Sequence, residues 1–240
     1  MFAIETENLT KRYKDIIAAN SINLKISKGE LFALLGTNGA GKTTTIKMLS
    51  TLILPSDGQI RIAGLDIKKD RQKIKELINV SPQETAIAPN LSVRENLEFM
   101  AGVYQVANKE EKINELAGMF KLNEVLNKKA KTLSGGWQRK VSLAISLIND
   151  PEILFLDEPT LGLDVIARRE LWKIVENLKG KITIILTTHY MEEAEKLSDR
   201  IGIMSKGELV ASGTVDELKA ISGSETFEDA FVKLTSGGDL

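Results

Sequence analysis

The chain has 240 residues, of which 42% are hydrophobic and 27% are charged, with 32 basic side chains against 33 acidic ones. This length and apolar content suffice for the core of one large domain and exclude wholesale disorder. The formal net charge of −1 argues against a general nucleic-acid-binding protein, and the lack of cysteine excludes disulfides and thiolate metal sites.

Strands are predicted in the first third of the chain. Residues 22–26 alternate apolar and polar side chains, which is typical of a strand with one solvated face. Residues 31–35 are continuously apolar, as in a strand buried on both faces of a parallel sheet. Similar runs at 153–156 and 182–186 are separated by helical sequence. The pattern predicts an α/β fold with a mostly parallel sheet.

Helices are predicted from about residue 85 to 150 and at the C-terminus. Residues 92–95 have the spacing of a capping box, followed by helical sequence towards Tyr104, and a further helix is expected over 135–148. This helical block lies between two strand signals, so we expect a lobe inserted into the α/β core. A second capping box at 214–217 predicts two short helices at the end of the chain.

Membrane insertion and secretion are not predicted. The apolar runs are far shorter than the roughly 20 residues that a membrane-spanning helix needs. Residues 1–5 lack the basic start and apolar stretch of a secretion signal. We therefore expect a soluble, cytoplasmic chain.

A phosphate-binding loop is predicted at residues 36–43, where G-T-N-G-A-G-K-T fits G-x-x-x-x-G-K-[ST] directly after the strand at 31–35. Its glycines allow a tight turn whose N–H groups, with the positive end of the next helix, surround a polyanion. Lys42 supplies a positive charge to the β- and γ-phosphates, and the Thr43 hydroxyl can ligate Mg²⁺. The alternative is an ordinary glycine-rich turn.

Two carboxylates, Asp157 and Glu158, follow the strand at 153–156. Ligands bind at the carboxyl ends of strands in open α/β sheets. Asp157 is predicted to hold Mg²⁺ through its water shell, and Glu158 to orient and polarise an attacking water. An acidic pair here is otherwise often a helix cap, an alternative that the loop at 36–43 makes less favourable.

A second anion site is predicted at residues 133–138, L-S-G-G-W-Q, which begin a helix with Ser134 as its cap and two glycines behind it. One nucleotide does not need two such sites from one chain. Two chains that face each other do need them, if each presents this segment to the γ-phosphate held by the other.

In this order, these motifs resemble those of the nucleotide-binding subunits of ATP-binding cassette (ABC) transporters, over about residues 2–215. The resemblance implies a P-loop NTPase with a RecA-like core, an N-terminal antiparallel β subdomain and a helical subdomain inserted at about 85–150. It divides the chain into a nucleotide-binding domain at 1–215 and a short helical extension at 216–240.

The resemblance also implies roles for individual residues. The expected catalytic residues are Glu158, the Q-loop glutamine Gln83 and the switch histidine His189, which is expected to contact the γ-phosphate. The expected nucleotide-binding residues are Tyr13, Gly36, Thr37, Asn38, Gly39, Ala40, Gly41, Lys42, Thr43 and Thr44. Ser134, Gly135, Gly136 and the D-loop Asp164 are expected to contact the partner's nucleotide, and Thr43, Gln83 and Asp157 the metal.

Three of these assignments have structural alternatives. Tyr13 is placed to stack on adenine, but an N-terminal tyrosine also packs against a sheet. Gln83 alone reads as a surface amide, and His189 alone as a structural histidine. The chain departs from the family pattern at Thr37, where proline is common, and at Leu161-Gly162, where Ser-Ala is usual.

The implied function is an ATPase that uses ATP and Mg²⁺ and works as a head-to-tail dimer with an identical or related subunit. Its expected partner is a separate transmembrane permease, so the chain is placed on the cytoplasmic face of the membrane, without nucleic acid. Residues 86–104 and 226–235 look like those of the subfamily that exports drugs, sodium or polysaccharides. Cargo and direction of transport stay open.

Other cassette and P-loop proteins fit less well. The DNA-repair and chromosome-organising ATPases place a long coiled coil between the phosphate loop and the family's signature segment, here residues 133–138. In this sequence Lys42 and Ser134 are only 92 residues apart. A translation-associated cassette protein needs two motif sets and this sequence has one. A metabolic P-loop kinase leaves residues 133–138 unexplained.

Overall fold

The computed structural model describes residues 1–236, which form two sheets and nine α-helices within that range. The strands are β1 Phe2–Tyr13, β2 Ile16–Ser27, β3 Leu31–Gly36, β4 Asp57–Ile62, β5 Leu65–Asp66, β6 Ile78–Ser81, β7 Ile153–Asp157, β8 Thr183–Thr188, β9 Arg200–Ser205 and β10 Glu208–Gly213. The helices are α1 Lys42–Leu49, α2 Arg71–Leu77, α3 Val93–Val103, α4 Lys109–Met119, α5 Gly135–Ile145, α6 Val165–Leu178, α7 Met191–Leu197, α8 Val215–Ser222 and α9 Phe227–Ser236, with 3₁₀ turns at Leu122–Val125 and Ala130–Thr132.

The larger sheet has six strands in the order β10-β9-β3-β8-β7-β6, all parallel except β10. Strands β3, β7 and β8 are buried along their whole length, as their continuous apolar runs predict. Because these three strands are neighbours and parallel, their carboxyl ends meet at one edge. The loop after β3, the acidic pair and His189 are therefore brought together there.

The smaller sheet is antiparallel, with the order β2-β1-β4-β5. The strand predicted at 22–26 is the second half of the longer β2. Buried side chains of the smaller sheet, including Ile4 of β1 and Ile26 of β2, pack in one cluster with Phe32 of the larger sheet and Met48 of α1. The N-terminal sheet thus covers one face of the strand that leads into the phosphate loop.

Helices α3, α4 and α5 lie between β6 and β7 in the chain. Ser92 caps α3 with the reciprocal capping box that its spacing predicts. Helix α5 ends at Ile145, not at residue 148 as predicted, because the amides of Leu147 and Ile148 bond to carbonyls three residues back. Both side chains stay buried, so the apolar pattern does not mark this change.

The core of the helical insertion is continuous with the core of the larger sheet. Leu97 of α3 and Phe120 after α4 belong to the same apolar cluster as Leu154 of β7 and Trp172 of α6. The subdomain boundaries at about 85 and 150 therefore stay a prediction.

The two C-terminal helices pack against the far side of the larger sheet. Thr214 caps α8 with the predicted capping box, and Phe227 and Ala230 of α9 join a cluster with Leu35 and Ile203. Residues 237–240 of the predicted extension lie outside the described residues. Within residues 1–236, no helix has both the length and the apolar character needed to cross a bilayer.

Candidate nucleotide site

The loop between β3 and α1 has the backbone of a phosphate cradle. Gly41 has a φ of +97°, and a Cβ there would lie 2.4 Å from the carbonyl oxygen of Ala18. A Cβ on Gly36 would lie 2.5 Å from the carbonyl oxygen of Met204. Gly41 is therefore required both for its left-handed backbone and for the close approach, and Gly36 is required for the close approach alone. Helix α1 then begins at Lys42 with its N-terminal amides beside the loop.

Lys42 is 5% exposed and its ammonium group lies inside this cradle. It donates to the carbonyl oxygens of Gly36 at 2.8 Å and Thr37 at 3.2 Å, and lies 3.3 Å from Oε1 of Glu158. A buried cation with these partners can transfer its hydrogen bonds to phosphate oxygens that enter the loop.

Thr43 and Asp157 supply two neighbouring oxygen atoms below the loop. The Thr43 hydroxyl donates to Oδ1 of Asp157 at 3.2 Å, and Thr187 donates to the same oxygen at 2.5 Å. Among residues 1–236 no group of three or more His, Cys, Asp or Glu side chains is placed to hold a metal. One hydroxyl and one carboxylate nevertheless fit Mg²⁺, which takes few protein ligands and completes its shell with phosphate oxygens and water.

Glu158 lies at the centre of the site and is 6% exposed. Its Oε2 is 2.7 Å from Nδ1 of His189, while Oε1 faces the Lys42 ammonium group. The backbone of Glu158 has a φ of +49°, in the left-handed region that costs a non-glycine residue about 1–2 kcal/mol. The predicted catalytic glutamate and switch histidine are thus in direct contact.

Lys42, Glu158 and His189 line an open cavity of about 790 Å³, which Gly36, Thr37 and Asp157 do not line. Tyr13 stands at its rim, 45% exposed, beside Ile16 and Ile17, so it is available to stack and is not buried against the sheet. Gln83 is also exposed and lines the same cavity. Of the predicted residues, the cavity is lined by Tyr13, Asn38, Gly39, Ala40, Gly41, Lys42, Thr43, Thr44, Gln83, Glu158 and His189.

Ser134, Gly135 and Gly136 do not line that cavity. Ser134 and Gly135 are exposed at the start of α5. The predicted Ser134 cap is wrong in one respect: the residue occupies the N-cap position with extended backbone, but its hydroxyl accepts no N–H of the helix. The first-turn amides of α5 therefore receive no side-chain acceptor from Ser134, and contact of this segment with a partner's nucleotide stays a prediction.

Asp164 caps helix α6. Its Oδ1 accepts the backbone N–H groups of Ile166 and Ala167, each at 2.9 Å. The side chain is exposed and also lies outside the cavity. Contact of Asp164 with a partner's nucleotide stays a prediction.

Sequence reasoning missed Arg139, which is 4% exposed on α5. Its guanidinium group donates to five backbone carbonyl oxygens, those of Pro82, Gln83, Asp157, Glu158 and Pro159. Burial lowers the pKa of Arg139 to about 10. No sequence motif signals this role, because the acceptors are main-chain atoms from two distant segments.

Sequence reasoning also missed Glu193 of α7, which is fully buried. Its Oε1 accepts hydrogen bonds from the Thr160 hydroxyl at 2.8 Å and from the indole N–H of Trp172 at 2.9 Å. Burial raises the pKa of this carboxyl group. Glu193 thus joins the helix after His189 to the segment after Glu158.

We expect the Glu193→Gln variant to gain stability relative to the native protein as pH rises. In the native protein the folded state holds the Glu193 proton to higher pH than the unfolded state does, so its free energy of unfolding falls between the ordinary and the raised pKa. Glutamine does not titrate, so the Glu193→Gln variant lacks this pH dependence. The Glu193→Ala variant leaves two buried donors unpaired, which lowers the free energy of unfolding by about 2 kcal/mol. Urea unfolding over a pH series measures both effects.

The exposed neighbour Glu192, replaced by glutamine, is the control for this experiment. An unfolding free energy of Glu193→Gln that runs parallel to that of the native protein at every pH would contradict the assignment.

Comparison with known families matches residues 19–161 to the family described as "ABC transporter". This match covers more than half of the chain. The chain belongs to the ABC transporter family. The resemblance inferred from the loop, the acidic pair and the signature segment is therefore confirmed, and family membership supports the prediction of an ATP-binding, ATP-hydrolysing chain.

Two relatives of this chain have names that refer to drugs. The probable multidrug ABC transporter ATP-binding protein YbhF of Escherichia coli is 40% identical over 98% of this chain. The daunorubicin resistance ATP-binding protein DrrA3 of Streptomyces coeruleorubidus is 39% identical over 99% of this chain. The chain spans 42% of the length of YbhF and 75% of the length of DrrA3.

Solved ABC cassettes have the same fold. A dimeric ATP-binding cassette in a post-hydrolysis state, bound to ADP and phosphate, superposes with a TM-score of 0.80. The two are 27% identical, and the match covers 88% of this chain and 98% of that one. The predicted P-loop NTPase architecture, with its mostly parallel sheet, antiparallel N-terminal sheet and helices, is thus confirmed.

Proposed function

We propose that this chain is the ATP-binding and ATP-hydrolysing subunit of an ABC transporter, and that two copies close around ATP to drive export. The proposal rests on the separation of the predicted nucleotide-binding residues into two groups at different places on the chain. The phosphate cradle, Lys42 and Glu158 share one cavity, whereas Ser134 and Gly135 lie exposed outside it. A complete site therefore takes these two halves from different chains.

Each chain's own residues then have distinct tasks. The loop amides and Lys42 hold the triphosphate, and Tyr13 stacks on the base. Glu158 orients and polarises the water that attacks the γ-phosphate in line, and His189 contacts that phosphate. Closure of the partner's α5 over the cavity excludes water and completes the electrostatic environment.

Thr43 and Asp157, with Gln83 at the cavity edge, are the residues proposed to hold Mg²⁺. When bound, the ion neutralises charge on the β- and γ-phosphate oxygens. The contact between Thr43 and Asp157 keeps the two oxygens ready at the base of the loop.

Gly135 supports the proposed dimer, because the fold of a single chain does not require glycine at this position. Beyond its chain neighbours and the nearby backbone of its own helix, a Cβ at Gly135 meets no atom of residues 1–236 within 4 Å, and the Gly135 backbone is helical. Gly135 is the first residue of α5, and neither its backbone conformation nor a contact with the described residues requires glycine there. Close approach of a phosphate from a second chain gives a reason for glycine at this position.

Gly135→Ala is expected to keep or slightly raise the melting temperature and to leave ATP binding to one chain unchanged, yet to reduce ATP hydrolysis at least about tenfold. The added methyl group occupies the space that the partner's γ-phosphate needs. Thermal unfolding, fluorescent ATP titration and steady-state hydrolysis measure the three quantities.

Gly118→Ala is the matched control, since Gly118 is also helical and a Cβ there also meets nothing within 4 Å. Equal hydrolysis by the two alanine variants would refute the two-chain site.

A separate transmembrane subunit is the proposed partner of the surface beside α3. Leu52, Val103 and Tyr104 border a cavity of about 670 Å³ between the end of α1 and the helical insertion, and Leu52 and Val103 are 59% and 58% exposed. Exposed apolar side chains such as Leu52 and Val103, surrounded by polar groups, are typical of a protein-binding surface. Docking there places the chain on the cytoplasmic face of the membrane, and the names of YbhF and DrrA3 favour export of drug-like compounds.

A further inference from the structure

Arg139 is a buried cation whose hydrogen-bond partners are all main-chain carbonyl groups. A charge this deeply buried normally pairs with a carboxylate, because its desolvation is costly. Among residues 1–236 no ion pair is formed by this side chain. Instead, its five N–H donors are matched by five carbonyl oxygens.

Three of these carbonyl groups are consecutive and surround the proposed catalytic glutamate. Nε donates to Pro159 at 2.6 Å, and one terminal nitrogen donates to Asp157 and Glu158, each at 3.1 Å. Three successive carbonyls converge on one group only where the chain turns sharply, and Glu158 has a left-handed φ of +49° here. The guanidinium group therefore stabilises the turn that aims the Glu158 carboxylate into the cavity.

The opposite side of the same turn is held by strand β8. The N–H of Glu158 donates to the carbonyl oxygen of Thr187 at 3.1 Å and to its hydroxyl at 3.0 Å. The backbone of Glu158 is thus fixed at its N–H by β8 and at its C=O by Arg139. Loss of either contact permits the left-handed residue to relax.

The remaining donors reach the loop after β6. The second terminal nitrogen donates to the carbonyl oxygens of Pro82 at 2.6 Å and Gln83 at 3.0 Å. Gln83 lines the nucleotide cavity, and this loop leads towards the proposed partner surface beside α3. The Arg139 side chain on α5 therefore connects that loop to the turn at Glu158.

We propose that Arg139 is a positioning residue that holds Glu158 in its hydrolytic orientation and couples that orientation to the loop at residues 82–83. The inference rests on the proposed role of Glu158. A displacement of the loop or a rotation of α5 shifts the guanidinium group, and through it the turn that carries the carboxylate.

Arg139→Lys tests whether the several N–H donors of the guanidinium group are needed. Lysine keeps the charge and the aliphatic stem but donates from a single nitrogen. We expect the kcat for ATP hydrolysis to fall at least about tenfold, with the ATP dissociation constant within about threefold of the native value. Arg139→Gln, which leaves no unpaired cation, is expected to behave in the same way. Equal losses in kcat and ATP affinity, or no loss in kcat, would overturn the proposal.

Lys140→Met is the matched control on the same helix. Lys140 is also buried, but it pairs with the Glu170 carboxylate at 2.6 Å and donates to no carbonyl group near Glu158. Its kcat is expected to stay within about twofold of the native value. If both Arg139 variants fail to fold while Lys140→Met folds, Arg139 serves the fold alone and the proposal is withdrawn.

A double variant separates this proposal from the proposed function. If Arg139 acts through Glu158, adding Arg139→Lys to Glu158→Gln lowers the residual single-turnover rate by less than about twofold. If the two losses multiply, Arg139 acts elsewhere and the proposal fails. If Glu158→Gln alone keeps its hydrolysis, the role of Glu158 fails instead, and the two outcomes are distinguishable.

Coupling to the loop is measured with a spin label, since the chain has no cysteine. Glu84→Cys places a single label on the exposed residue that follows Gln83. Arg139→Lys is expected to increase the mobility of this label, and Lys140→Met to leave it unchanged. A label that is equally mobile in all backgrounds would contradict the link between Arg139 and the loop.

Discussion

Replacing Glu158 by glutamine is expected to slow steady-state ATP hydrolysis by about 10²- to 10⁴-fold, the contribution of a positioned general base. The amide keeps the size of the side chain but loses the negative charge that polarises water. ATP binding is expected to be preserved, because the loop amides and Lys42 are untouched. Phosphate release and titration with a fluorescent ATP analogue measure the two quantities separately.

Glu152→Gln is the control for this variant. Glu152 precedes β7 at the opposite end of the strand, where it forms an exposed ion pair with Lys28. Hydrolysis by Glu158→Gln at the rate of this control would remove Glu158 from the mechanism.

Replacing Lys42 by alanine is expected to weaken ATP binding itself, by about 10- to 100-fold, which corresponds to the loss of one or two charge-assisted hydrogen bonds. The ammonium group already occupies the cradle, bonded to the carbonyl oxygens of Gly36 and Thr37. Its removal also leaves Glu158 without its cation, which places an unopposed negative charge near the γ-phosphate. Equilibrium titration with ATP measures the change.

Lys47→Ala provides the comparison, since Lys47 is exposed in the last turn of the same helix. An ATP dissociation constant for Lys42→Ala equal to that of Lys47→Ala would show that the loop binds phosphate without the lysine.

Much of the site follows from local sequence because it lies at strand ends. The apolar runs at 31–35, 153–156 and 182–186 correspond to β3, β7 and β8, with small shifts at their ends. Since these strands are parallel neighbours, their carboxyl ends meet, and the motifs that follow them are brought together. Residue patterns thus predicted that the loop with Lys42 and the pair with Glu158 meet, whereas the role of His189 was predicted from the family resemblance.

The rest depends on tertiary contacts that no spacing encodes. Arg139 bonds to main-chain atoms more than 50 residues away, at Pro82 and Gln83, so no side-chain motif marks it. Glu193 is indistinguishable in sequence from its exposed neighbour Glu192, and only packing against Trp172 buries it. The sequence also does not reveal that α5 ends at Ile145, since the buried Leu147 and Ile148 continue the apolar pattern beyond the helix.

In the proposed dimer, ATP is held between the phosphate loop of one copy and the start of α5 of the other. The most direct measurement is the molar mass of the Glu158→Gln variant in solution, by light scattering, with and without Mg²⁺ and saturating ATP. We predict the mass of two chains with ATP and of one chain without it, and one chain in both conditions when Gly135→Ala is added. The mass of a single chain for Glu158→Gln at saturating ATP would contradict the account.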